Sequence, residues 1–472
     1  NATPLAGASR LQSAPMLRAY LQSLSPRRLP LMTRPSYRQE MFTAATYPAV
    51  LAMIEGGVVG IIAVKVFNVS AMVFAAIVAS SNFANLTSFL WARLARGRRK
   101  VASIVSMMLG LLLCVTLISF LPRTDAGGGQ LALLVIIARC LQTGIITLRS
   151  TVWRMNYPAH LRAQITGRIA LFNAVLLAVI PMAAGALLDH NADTFRYIYP
   201  ATVLLALVGV IAYSRIRLRG ERELLKYEKQ PDARPLPHGA PDPLYEYDPK
   251  ASRPTFWSVL KQDKLFRQYM LWQFVNGTAA MMGDAVLVYL IARLTQGMHD
   301  EFLISNSLTT ALPVIMVVIT LPLWARLLDR LHIIQFRARH GSLWVLVQLI
   351  TWLGAMFASL WILAISRLIV GIARGGGMLA WNLGHNDFAD RRMVALYMGI
   401  HVTLTGIRGA IAPFVAIILF TGKIDLFAGV KLELPWLHIE HHLFLVTAAL
   451  SLWAEIGFIR LGRSMGVSGK KQ

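Results

Sequence analysis

The sequence predicts an all-α polytopic membrane protein with twelve transmembrane helices, arranged as two six-helix bundles related by an internal repeat. Of its 472 residues, 56% are hydrophobic and 15% are charged, whereas an ordinary soluble domain has roughly 25% charged residues. Long apolar runs follow one another along the chain, and one polar segment divides them near the middle. Together these observations exclude a soluble globular protein of this length.

Twelve apolar runs have the length of about 20 residues that crosses a hydrocarbon core. The first six lie at roughly 42–64, 71–92, 101–121, 131–154, 166–188 and 197–216. The second six lie at roughly 266–291, 302–325, 341–358, 360–384, 396–420 and 442–461. A short turn near Ser359 separates the ninth run from the tenth.

The basic residues concentrate on alternate connections, which predicts the orientation. The arm before residue 42 has six arginines and one acidic residue, Glu40. The second connection is basic from Arg93 to Lys100, whereas the first, 68–70, has no charge. Since Lys and Arg accumulate on cytoplasmic loops, we expect both termini in the cytoplasm. The sequence thus predicts an integral protein of the bacterial cytoplasmic (inner) membrane.

The same patterns divide the chain into five segments. They are a basic cytoplasmic arm at 1–41, an N-terminal bundle at 42–216, a cytoplasmic linker at 217–264, a C-terminal bundle at 265–462 and a tail at 463–472. The arm fits an interfacial helix around Ala14–Leu24, and its acid-poor composition also fits a transit peptide. The linker mixes charges and then becomes Pro-rich, which predicts a short amphipathic helix followed by irregular chain.

The two halves resemble each other at a nearly fixed offset. At an offset of 228 residues, Arg139 falls on Arg367 and Met53 falls on Met281. The segment LWARL at 90–94 recurs in the second half before the basic connection. Two similar halves in the same orientation are typical of transporters that rock around a central site.

Two motifs link this repeat to a known family. The segment RLLDR at 326–330 follows the eighth run, and RCLQTG at 139–144 lies in the fourth. They resemble the helix 2–3 and helix 4 signatures of the major facilitator superfamily, and the first-half copy of the former lacks its Asp. The resemblance covers residues 42–462. It implies secondary transport by alternating access, with Arg326, Asp329 and Arg330 in a gating loop.

One acidic residue lies inside the first predicted span of each half. Glu55 is near the middle of the first helix and Asp284 is in the seventh, one place from the repeat equivalent of Glu55. Ionisable groups at this depth are costly and usually functional. We expect both to serve in proton coupling; the alternative is a structural salt bridge with a neighbouring Arg.

Arginines outnumber these acids within the spans. The candidates are Arg139 and Arg149 in the fourth helix, Arg367 and Arg374 in the tenth and Arg408 in the eleventh. A guanidinium stays charged when buried and therefore needs an anion, which a carboxylate or phosphate on the substrate supplies. Alternatively, some of these side chains extend to the interface.

Gln273 and Asn276 of the seventh helix are three residues apart and share a face. Such residues taken singly also serve as interhelical hydrogen-bonding groups. The predicted substrate-binding residues are Arg374, Arg408, Arg367, Arg139, Asn276 and Gln273.

Other activities lack a signature in the sequence. His438, Glu440, His441 and His442 form a cluster without further ligands, so we expect no metal site. No Gly-rich nucleotide-binding loop or set of catalytic residues is present, which argues against an ATPase or another enzyme and against a cofactor.

The sequence therefore predicts a proton-coupled secondary transporter of a small organic, anionic solute. Its expected partners are the solute, protons and the lipid bilayer, not nucleic acid, and we expect a monomer. Two alternatives stay open at this point: an exporter of amphipathic compounds, and a membrane assembly factor or receptor that keeps the fold without transport.

Overall fold

The computed structural model describes residues 29–229, 256–389, 394–425 and 431–464 of the chain. The helix expected around Ala14–Leu24, the Pro-rich part of the linker and the tail from residue 465 lie outside the described residues.

The first half is helical. Its helices are α1 (Arg34–Thr46), α2 (Pro48–Met53), α3 (Gly56–Lys65), α4 (Ala71–Phe83), α5 (Ser88–Leu94), α6 (Lys100–Ile118), α7 (Asp125–Asn156), α8 (Ala159–His190), α9 (Phe195–Ser214) and α10 (Glu221–Lys229). The first predicted span comprises α1 to α3, and the second comprises α4 and α5. The amphipathic helix expected after the sixth span is α10.

The second half has a similar order of helices. They are α11 (Phe256–Gln262), α12 (Lys264–Leu294), α13 (Glu301–Asn306), α14 (Leu312–Leu328), α15 (Ile333–Met356), α16 (Leu360–Leu383), α17 (Val394–Thr421) and α18 (Leu443–Ser464). A π turn, Ser307–Ala311, joins α13 to α14. Between α17 and α18, β1 (Lys423–Asp425) pairs antiparallel with β2 (Lys431–Glu433), with Ile424 opposite Leu432.

Within the described residues, eleven helical segments are long and apolar enough to cross a bilayer. The ninth predicted span corresponds to α15, which is 24 residues long. Its hydropathy is lower because it carries Arg337, His340 and Gln348, and all three side chains are buried against the rest of the protein. With α15 included, the chain has the predicted architecture of two six-helix bundles.

The first helix differs from the expected continuous span. It begins at Arg34, earlier than predicted, and breaks after Met53, where Glu55 takes an extended backbone conformation (φ −63°, ψ 139°). Two glycines, Gly56 and Gly57, follow the break, and Gly is a poor helix former. The break places Glu55 at the N-cap of α3.

We call the end of the molecule that carries connections 66–70, 119–124 and 295–300 the odd face, and the opposite end the even face. Between the bundles, α4 packs on α17 and α8 packs on α13. A Cβ at Gly409 of α17 would overlap Asn82. The missing side chain therefore lets these two helices approach closely.

Three charged side chains remain accessible at mid-depth beside this interface. The side chains of Glu55, Asp284 and Arg374 are 45%, 37% and 37% exposed. Two residues after Glu55, a Cβ at Gly57 would lie 2.5 Å from Oγ1 of Thr310 in the other bundle.

Candidate functional site

In the first bundle, Arg139 and Glu55 form a salt bridge. Arg139 Nη2 donates to Glu55 Oε2 over 3.2 Å and to the carbonyl oxygen of Ile54 over 2.5 Å. Its Nη1 donates to Gln142 Oε1 over 2.9 Å. The helix break leaves the Ile54 carbonyl without its normal helical donor. Arg139 therefore links the predicted proton-coupling residue to the backbone of the broken helix.

The second bundle repeats this chemistry. Arg367 Nη1 donates to Asp284 Oδ1 over 3.1 Å. Its Nε and Nη2 donate to the carbonyl oxygens of Leu308 and Thr309 in the π turn, over 3.0 and 3.1 Å. In each bundle, an Arg of the fourth membrane span thus forms a salt bridge with a carboxylate of the first span. The same Arg donates hydrogen bonds to backbone carbonyl oxygen atoms at an irregular turn.

Asp284 has a second cationic partner. Arg374, two turns after Arg367 on α16, donates from Nη2 to Asp284 Oδ2. Arg367 is fully buried, whereas Arg374 is partly exposed. Arg374 is therefore the more accessible of the two cations, and this site keeps one positive charge after pairing.

Arg408, on α17, packs against α12 farther along the face that carries Asp284. It is 6% exposed, donates from Nη1 to the Gln273 carbonyl oxygen over 2.5 Å, and packs against Gly277. Gly277 and Asp284 are seven residues apart and share a helix face, roughly 10 Å apart along the axis. Among the salt bridges of the described residues, none involves Arg408.

Several polar atoms around Arg408 lack hydrogen-bond partners within the described structure. They are Arg408 Nε, Gln273 Oε1, Asn276 Oδ1 and both ring nitrogens of His401. The α12–α17 contact thus brings together three predicted substrate-binding residues, Arg408, Gln273 and Asn276. It keeps them apart from Arg139, which belongs to the other bundle.

Arg149 lies in a separate cluster in the first bundle. It pairs with Glu40 of α1, and Trp153 Nε1 donates to Glu40 Oε1 over 3.1 Å. Glu40 is fully buried. Glu40 was not among the residues predicted to be functional, although it is the one acidic residue of the arm.

The predicted gating loop at the end of α14 is exposed. Arg326, Asp329 and Arg330 form no salt bridge within the described part of the chain. The first half lacks the signature Asp, and there the side chain of Glu228 of α10 contacts the corresponding connection. Its Oε2 accepts hydrogen bonds from Lys100 Nζ and from the Gly97 amide over 2.6 and 2.7 Å.

Charged contacts also join the bundles at the odd face. Lys65 of α3 forms a 3.1 Å salt bridge with Glu301 of α13. Asp189 of α8 accepts hydrogen bonds from the amides of Phe302 and Leu303 over 2.7 and 2.9 Å. Sequence reasoning missed these contacts, because they depend on which helix ends meet in three dimensions.

A cavity of about 1150 Å³ opens between the bundles at the odd face. Its lining includes Asp125, Arg293, Lys423, His438 and Glu440. Lys423 Nζ also donates a hydrogen bond to Glu433 Oε1 across the hairpin over 2.9 Å. This contact raises the pKa of Lys423 and lowers that of Glu433.

The fold agrees with the comparison to known proteins. Residues 41–413 match the family model of the Major Facilitator Superfamily. The chain belongs to the Major Facilitator Superfamily. It is therefore a membrane transporter of the secondary type, not an enzyme. No curated protein sequence matches the chain.

Solved structures of the superfamily's fold resemble the chain over most of its length. A mutant of the nucleoside transporter NupG has a TM-score of 0.63 at 10% identity, covering 90% of this chain and 99% of that one. The xylose transporter XylE from E. coli, inward open, has a TM-score of 0.61 at 9% identity and covers 92% and 96%. An inward-facing bacterial homolog of the human lysosomal transporter Spinster has a TM-score of 0.58 at 14% identity. The match covers 90% of this chain and 97% of that one. These identities show a shared fold.

Proposed function

We propose that this superfamily member transports a small organic anion, coupled to protons, by alternating access. The observation that supports this proposal is the charge balance along one face of the second bundle. Arg367, Arg374 and Arg408 carry three positive charges there, and Asp284 is the carboxylate that pairs with two of them. Buried guanidinium groups stay charged and need a counter-charge.

The three cations have different roles in this proposal. Arg367 uses its donors on Asp284 and the π turn, so it positions the acid. Arg374 is accessible and Arg408 has unused donor capacity, so these two bind the anion. Gln273 and Asn276, beside Arg408, orient the rest of the solute.

Glu55 and Asp284 supply the proposed proton-coupling groups. Both are partly exposed and both are held by an arginine. A proton and an arginine compete for the same carboxylate, so protonation would release the cation and change the packing of the helix that carries it. A D-xylose–proton symporter is among the solved structures with this fold, so the fold supports proton coupling in another protein.

The proposed orientation follows from loop charge. The even face carries the basic connection from Arg93 to Lys100, and positive loops remain on the cytoplasmic side. We place this face, and both termini, in the cytoplasm of a bacterial cell, with the monomer as the transporting unit.

The direct test is uptake by proteoliposomes that contain the purified protein. Lactate, a sugar phosphate, xylose and choline would be supplied with and without an inward proton gradient. We expect uptake of an anion that stops when a protonophore removes the gradient. Uptake of choline or xylose alone would contradict the anionic substrate, and gradient-independent uptake would contradict proton coupling.

A matched pair of variants tests the site. Arg374→Gln should reduce anion uptake by at least about tenfold, since a charge-assisted contact is lost. Arg215→Gln removes a cation from an exposed position outside the predicted gating loop and should leave uptake unchanged. Equal effects of the two changes would show that overall charge, not the site, determines uptake.

A further inference from the structure

The last membrane helix, α18, carries a buried carboxylate that the proposed transport site does not use. Glu455 is 6% exposed and lies inside the apolar span Glu440–Ser464. Its Oε2 has no hydrogen-bond partner, and none of the salt bridges of the described residues includes Glu455. Glu455 was not among the residues predicted to be functional, although it interrupts the twelfth apolar run.

Glu455 differs in this respect from the other carboxylates in the membrane helices. Glu40 pairs with Arg149, Glu55 with Arg139, and Asp284 with two arginines. Burying a charged carboxylate without such a partner is strongly unfavourable, whereas a neutral carboxylic acid is tolerated more easily.

The surroundings of Glu455 come mainly from α15. A Cβ at Gly341 would overlap Glu455 Oε2, so the missing side chain makes room for the carboxyl group. Arg337 lies one turn earlier on α15, is 3% exposed, and its Nε has no hydrogen-bond partner. Glu455 and Arg337 are close enough to interact electrostatically but form no direct salt bridge.

Other titratable groups on the helices packed against α18 interact with Arg337. Tyr269 of α12, His340 of α15, and His401 and Arg408 of α17 are within its electrostatic reach. Arg337 is thus within electrostatic reach of both Glu455 and Arg408, the proposed anion ligand.

We propose that Glu455 is a further proton-binding residue, besides Glu55 and Asp284, which holds a proton in this conformation and acts on Arg408 by attracting Arg337 once the proton has left. The step is a simple exchange: the carboxylic acid releases its proton to water, and the carboxylate that remains pairs with Arg337. The coupling part of this inference rests on the proposed function, and the proton site itself does not. Glu455 is a positioning residue, since it acts on the solute through Arg337.

The test is a pH titration of the purified full-length protein by infrared difference spectroscopy, between about pH 5 and about pH 9. It requires no solute, so its outcome is independent of whether any panel compound is transported. We expect wild-type protein to show the carbonyl band of a protonated carboxylic acid that disappears as the pH rises. Glu455→Gln should lose this band, whereas Glu55→Gln should keep it.

Thermal stability gives a second readout. Gln resembles a neutral carboxylic acid, so Glu455→Gln should unfold within about 2 °C of wild type at low pH. If Glu455→Gln is unstable there, Glu455 carries the charge that compensates Arg337, and the proposal fails. A wild-type protein without the band, or a band unchanged in Glu455→Gln, also overturns it. Arg337→Gln, which keeps the carboxyl, should shift the midpoint of the band by about one pH unit; an unchanged midpoint counts against the link to Arg337.

Discussion

Arg139 donates from one nitrogen, Nη2, both to the carboxylate of Glu55 and to the carbonyl oxygen of Ile54. The guanidinium therefore keeps a backbone partner whether or not Glu55 is charged. Gln142 provides a third contact. This arrangement allows Glu55 to gain a proton without leaving Arg139 wholly uncompensated, as a coupling residue requires.

Glu55→Gln should therefore separate coupling from binding. Gln keeps the shape and a hydrogen-bond acceptor but does not titrate. Accumulation of the transported anion against its gradient should be lost, because no proton is bound at this position. Exchange of labelled for unlabelled anion should continue at a rate within about threefold of wild type, since exchange completes no proton cycle. Both are measured in proteoliposomes.

Two results would contradict the coupling role of Glu55. One is a stable variant that still accumulates solute in response to a proton gradient. The other is a variant that loses exchange and thermal stability together, which would mean that the pair with Arg139 is structural. Arg139→Gln, which removes the cation and keeps the carboxylate, is the matching control for the pair.

Asp284→Asn should destabilise the second bundle more than Glu55→Gln destabilises the first. Asp284 holds two arginines, and removing one partner of a buried pair costs about 3–5 kcal/mol. Because Asp284 is partly exposed, we expect the lower end, about 3 kcal/mol. Thermal unfolding in detergent measures the effect. Asp329→Asn, at an exposed position without a salt bridge in the described structure, is the control and should change stability little.

Lys65→Gln should favour opening of the odd face. The change breaks the salt bridge with Glu301 and leaves Asp189 and Glu301 close together without a cation. A single cysteine at Val288, which packs against Gly60 between the bundles, reports the opening. In a background without Cys114 and Cys140, a membrane-impermeant maleimide should label it several-fold faster in Lys65→Gln.

Lys423→Gln provides the comparison for that experiment. It removes a lysine from an exposed pair on the same face and should leave labelling at its wild-type rate. Unchanged labelling in Lys65→Gln would show that the salt bridge does not hold the bundles together. Faster labelling in both variants would point to a general effect of charge on the reagent.

The sequence by itself determined the helices and their division into two bundles. A bilayer requires about 20 apolar residues for each crossing, so composition over short windows is sufficient to locate the spans. The repeat that makes Arg139 and Arg367 equivalent positions could also be recognised from the sequence, because equivalent positions keep similar residues. The break at Glu55 had a visible signal in Gly56 and Gly57.

Only the tertiary structure decided which charges meet. Asp284 pairs with two arginines, and Glu40, which lies before the first predicted span, pairs with Arg149. Arg408 and Glu455 form no salt bridge among the described residues. These outcomes depend on the rotation of each helix and on close packing at glycines such as Gly277 and Gly341. The positions of charges along the chain do not reveal helix rotation or close packing. An ion pair forms only between groups that packing brings within a few ångströms of each other.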